Sequence, residues 1–94
     1  MAPPHPGKLI KYDYLEPLGI TISELAKTLD ITRPMLSSII NGRAAISPLM
    51  ALKLAKAFDT TPDLWLGLQA SYDLYIASQK FDSNRIQRLH TVSH

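Results

Sequence analysis

Apolar side chains recur three or four positions apart in five successive runs, and Pro, Gly or a short polar residue closes each run. Alternation of period two is almost absent, so the pattern predicts helices and an all-α chain. The first helix is expected over residues 6–16, with Leu9, Tyr12 and Leu15 inward, Pro6 in its first turn and Pro17 ending it. A capping box of Thr21 and Glu24 opens the second, which carries Ile22, Leu25, Ala26 and Leu29 on one face. Thr32 caps a third, with Arg33 and Pro34 in its first turn and Leu36, Ile39 and Ile40 inward. Asn41-Gly42 stops it, with Gly42 suited to a left-handed conformation. Ser47-Pro48 and Thr61-Pro62 open the fourth and fifth helices, the latter running to about Gln79. Asp82 or Ser83 is placed to cap a short last turn over residues 85–89.

The connections are short, as in a compact helical bundle. The predicted organisation is a flexible tail (residues 1–5), one five-helix domain (6–80) and a C-terminal extension (81–94). The fifth helix carries two apolar stripes: Trp65, Leu68, Tyr72 and Ile76, then Leu66, Ala70, Leu74 and Ala77. One stripe closes the core. The other is either a dimer interface or covered by the terminal segments. Tyr12 and Tyr14 divide between core and surface.

The second and third helices, joined by Asp30-Ile31-Thr32, have the length and order of a helix-turn-helix. An ordinary helical hairpin gives the same pattern. The outward residues of the third helix are Arg33, Pro34, Ser37, Ser38 and Asn41, with Met35 at the margin. None is a carboxylate, which a face meeting a DNA duplex must avoid. Arg33 sits at the helix start, where groove-reading residues lie, and is suited to a bidentate contact with guanine. Ser38 is one turn further on. Pro34 and Met35 offer apolar surface to a thymine methyl. Asn41, Arg43, the Thr32 hydroxyl and nearby amides are assigned to phosphate.

At 46% hydrophobic and 19% charged residues, the chain has enough apolar surface for a core and is not of disordered composition. The net charge of +2 is a weak pointer to nucleic acid. Its distribution is more telling. Residues 27–56 hold five basic side chains and one acid, whereas residues 59–82 hold four acids and one lysine. The absence of cysteine excludes disulfides, thiolate metal sites and thiol catalysis, and fits a reducing cytoplasm. No leader or membrane span is expected. His5, His90 and His94 lack metal-site spacing and are expected to be solvated. Ser37-Ser38 has no nucleophile motif, and nothing assembles an acid, a base and a nucleophile, so neither an enzyme nor a cofactor is expected.

The stretch Ile22-Ser23-Glu24-Leu25-Ala26, then Ile31-Thr32, then Ile39-Ile40-Asn41-Gly42-Arg43 resembles the phage-repressor-like (Cro/C1, or XRE) helix-turn-helix family. Further segments extend the likeness: Pro6-Gly7, Leu15-Glu16-Pro17-Leu18-Gly19, Ile46-Ser47-Pro48, Ala51 to Ala55, Thr61 to Gln69, and Tyr72-Asp73-Leu74. Together they resemble the HigA-type antitoxin branch over residues 6–77. The resemblance implies a homodimer that binds an inverted-repeat operator, represses its own operon and neutralises a HigB-type, mRNA-cleaving ribonuclease. It implies base reading at Arg33, Pro34 and Ser38, and phosphate contacts at Thr32 and Asn41. The chain departs at Ile22, where many relatives carry Gln or Ser, so Thr21 or Ser23 takes that phosphate contact. Two alternatives stand beside this reading: a free-standing repressor without a toxin, and a protein-binding module without DNA.

Overall fold

The computed structural model describes residues 2–89; His90 and His94 lie outside the described residues. Every regular element among the described residues is helical. Helix α1 covers residues 6–18 in three continuous pieces: α-helical Pro6–Leu9, π-helical Ile10–Leu15 and α-helical Glu16–Leu18. Pro17 therefore does not end it. The helix stops at Gly19, which is left-handed (φ 66°). A proline ring clashes with the carbonyl four residues back. Here the π turn widens the helix just before the proline, with the Glu16 N–H donating to the Lys11 carbonyl. The wide turn also changes the phase of the side chains. Ile10 and Leu15 are buried and Tyr14 packs on the core, while Tyr12, expected inward, is 53% exposed.

Helices α2 (Ile22–Leu29) and α3 (Arg33–Ile40) form the helix-turn-helix. Both halves of the capping box are made. The Glu24 N–H donates to Thr21 Oγ1 at 3.1 Å, and the Thr21 N–H donates to Glu24 Oε1 at 3.2 Å. At the other end Asp30 is left-handed (φ 55°), a conformation Asp tolerates better than most residues. The Ile31 N–H then donates back to the Ala26 carbonyl at 3.0 Å. Ala26 is buried and Ile31 packs against the core, as the sequence required. Leu36, Ile39 and Ile40 anchor α3, each contributing roughly 1.5–3 kcal/mol by burial.

Helices α4 (Pro48–Phe58) and α5 (Pro62–Lys80) complete the bundle, capped by Ser47 and Thr61. Trp65 is fully buried, and its Nε1 donates to Thr60 Oγ1 at 2.8 Å. Tyr14 stacks on Phe58 with ring centroids 4.0 Å apart. The first α5 stripe closes the core at Trp65 and Leu68, meets His5 at the half-buried Tyr72, and surfaces at Ile76. In the second stripe Leu66 is half-buried and Leu74 is exposed. Residues 81–89 are exposed and leave Leu74 uncovered. Asp82 caps a short 3-10 turn, Ser83–Arg85, earlier and shorter than the turn expected over residues 85–89.

Candidate nucleic-acid interface

Three buried residues on one side of α3 force the other side outward. Arg33, Pro34 and Asn41 are exposed, and Met35 is half-exposed. Ser37 and Ser38 are half-buried, less outward than the helical wheel predicts. The chain after the helix folds back over Ser38. Its carbonyl accepts the Arg43 N–H at 2.8 Å and the Ala44 N–H at 3.2 Å. Arg43 itself is exposed beside Gly42, which has the expected left-handed backbone (φ 75°).

The helix start offers fewer free amides than the sequence suggests. Thr32 Oγ1 accepts the Met35 N–H at 3.2 Å, and the Thr32 carbonyl accepts the Leu36 N–H at 3.2 Å. Pro34 has no N–H, which leaves those of Thr32 and Arg33. The Thr32 hydroxyl hydrogen stays available to donate. At the helix end, Asn41 Nδ2 donates to the Ser37 carbonyl at 2.9 Å and to Ser37 Oγ at 3.3 Å. These bonds cap the end of α3, and Asn41 itself stays exposed.

Thr21 and Ser23 are exposed at the start of α2. Thr21 and Asn41, far apart in sequence, line one cleft of about 440 Å³ with Lys11, Glu16 and Ile22. A second cleft of about 540 Å³ opens on the other side of Asn41, lined by His5, Lys8, Lys11, Gly42 and Tyr72 among others. Thr32 and Met35 lie apart from these, in a cleft with Ser47, Leu49 and Lys53.

The turn that carries Asn41 and Arg43 is fastened by two residues without a predicted role. Gln69 is 6% exposed. Its Oε1 accepts the Ile46 N–H at 2.8 Å, and its Nε2 donates to Asp73 Oδ1 at 2.9 Å. His5, expected in a solvated tail, is also buried. Its Nδ1 accepts the Gly7 N–H at 2.9 Å and caps α1. Its ring meets Tyr72 edge-on at 5.0 Å and lies 3.7 Å from where a Cβ on Gly42 would stand. Burial pushes the imidazole below its ordinary 6.5, against a hydrogen bond to the Ala44 backbone and the charge of Asp73. The signal for Gln69 was a lone amide in the apolar face of α5.

Among the described residues no group of three or more His, Cys, Asp or Glu is arranged to hold a metal ion. No helix among them is long and apolar enough to cross a membrane.

A helix-turn-helix family model matches residues 12–65. Virulence-associated protein A' of Dichelobacter nodosus is 56% identical over 86 residues, covering 89% of this chain and 74% of that protein. The structure of antitoxin GraA matches with a TM-score of 0.89 and 35% identity, covering 95% of this chain and 99% of the other. The Pseudomonas aeruginosa antitoxin HigA, solved with the higBA promoter, matches with a TM-score of 0.84 and 32% identity over 94% and 99% of the two chains. Helix-turn-helix regulators and antitoxins, not enzymes, are what this chain is similar to. The capping box, the Asp30 turn, the buried Trp65 and these likenesses agree, and the chain belongs to the helix-turn-helix family, in its HigA-type antitoxin branch.

Proposed function

We propose that the protein is a cytoplasmic operator-binding autorepressor that acts as a homodimer and neutralises a HigB-type, mRNA-cleaving ribonuclease. The observation that carries the DNA half is the outer face of α3. It is free of carboxylates, starts with an exposed Arg33, and is held rigid by the burial of Leu36, Ile39 and Ile40. On this reading Arg33, Pro34 and Ser38 meet base edges. Thr32, Arg43, Ser23 and Thr21 meet phosphate, as does Asn41 once its amide turns from Ser37. The uncovered Leu74 side of α5 supports dimerisation, because paired helices at two-fold spacing match an inverted repeat. The toxin half is supported by the likeness to antitoxins.

Two measurements test the reading. Binding to the protein's own promoter and to a scrambled duplex is compared at moderate salt, where the promoter must bind more tightly. The product of the neighbouring gene is co-expressed and must co-purify and lose its mRNA cleavage. Promoter binding without a toxin leaves a free-standing repressor. Toxin capture without promoter binding leaves a protein-binding module.

A further inference from the structure

We infer that Lys8 and Lys11 on α1 extend the DNA interface as phosphate contacts beside the end of the recognition helix. The inference rests on the proposed DNA reading and adds to it an element outside the helix-turn-helix.

Lys11 is exposed and lines both clefts that meet at Asn41. In the cleft that holds Thr21 it is the one cation, and Glu16 is the one carboxylate. The other groups there have much of their bonding capacity engaged. Asn41 Nδ2 donates to Ser37, and Thr21 Oγ1 accepts from Glu24. A phosphate drawn to this cleft therefore depends on Lys11 for positive charge. Lys8, one turn earlier on α1, lines the neighbouring cleft with Lys11, Asn41 and Gly42, and no carboxylate lines that cleft. Among the described residues the one ion pair within 4.0 Å is Arg85–Asp82, so neither lysine is tied to an acid. Lys11 Nζ lies 5.1 Å from the Tyr12 ring centroid, a weak hold that a phosphate replaces.

The packing of α1 makes this placement durable. Gly7 brings the α1 backbone onto that of Ile39 and Ile40, so the two lysines are carried to the end of α3. A recognition helix in the major groove is flanked by the phosphate backbone, and cations beside its end add affinity without base information. Spacing along the chain does not link the two lysines to the recognition helix, because Lys8 and Lys11 lie ten or more residues before α2.

The test is the salt dependence of binding to promoter and scrambled duplexes, measured for the full chain and for Lys11→Ala and Lys8→Ala. Each phosphate contact contributes about 0.9 to the slope of log K against log salt. Each substitution is expected to lower the slope by about one per half-site and to weaken both duplexes by a similar several-fold factor. Lys56→Ala, on the α2–α4 side away from Asn41, is expected to leave the slope unchanged. An unchanged slope in Lys8→Ala and Lys11→Ala, or an equal drop in Lys56→Ala, overturns the inference. Loss confined to the promoter also overturns it. If the unsubstituted chain binds no DNA, the proposed function itself has failed, a result that these variants do not mimic.

Discussion

Gly7 in α1 lies so close to Ile39 in α3 that a Cβ on Gly7 would overlap the Ile39 carbonyl oxygen and stand 2.8 Å from Ile40 Cα. Both partners are backbone, so no side chain can rotate away. Gly7→Ala is expected to push α1 off the end of the recognition helix and to cost about 1–3 kcal/mol, as overpacking does. Thermal unfolding checks the cost. A Gly7→Ala protein as stable as the parent would show that the two helices do not meet this closely.

Gln69 is the matching tie on the other side of the turn. Gln69→Ala leaves the Ile46 N–H without its partner, at an expected cost of about 1–3 kcal/mol. Gln69→Glu keeps the acceptor but sets a second carboxylate against Asp73. That variant should be less stable at neutral pH and recover partly on mild acidification, when the pair holds a proton. Chemical denaturation at two pH values separates the two variants.

The His5 imidazole is held below its ordinary 6.5, chiefly by burial, so the folded state prefers it neutral. Between the folded value and 6.5 the unfolded chain binds more protons, and stability rises with pH. The His5 contribution is thus complete above 6.5 and is lost as pH falls through the folded value. Lys8, Lys11 and Arg43 lie on the adjoining elements, and Asp73 opposes them. His5→Asn retains an N-cap acceptor without the titration. It should flatten the loss of stability below 6.5, which thermal melts at a series of pH values would reveal.

Arg33→Ala and Asn41→Ala should part company on DNA. Loss of a base-reading arginine costs roughly 1–3 kcal/mol of discrimination and narrows the gap between promoter and scrambled duplex. On the proposed phosphate role, loss of Asn41 is expected to weaken both duplexes alike, because phosphate carries no sequence. Fluorescence anisotropy on both duplexes decides. Equal weakening by Arg33→Ala would remove Arg33 from base reading.

Leu74 is 71% exposed on the uncovered side of α5. Leu74→Asp should leave the helical signal intact and shift the protein toward monomer in sedimentation. Promoter affinity should fall with it, since each half-site is then bound alone. A variant that remains as dimeric as the parent would place the dimer interface elsewhere.

The helix-turn-helix was legible because its signals are local. The Thr21–Glu24 box, the Thr32 cap, small Ala26 and the stop at Gly42 each act within a few residues, and periodicity assigned Leu36, Ile39 and Ile40 to the core. The course of α1 was not legible. A proline predicts a helix end, whereas a π turn whose side-chain phase differs from that of an α-helix carried the chain past Pro17 and turned Tyr12 outward. The burial of His5, the bond from Ile46 to Gln69 and the meeting of Lys11 with Asn41 join residues 23 or more positions apart, or segments whose packing no periodicity encodes. The sequence by itself determined which helices form and which face of α3 is free of acid, because capping and amphipathicity are short-range. Tertiary structure alone decided what braces the turn after α3 and which cations stand beside it, because those depend on how closely α1 and α5 approach.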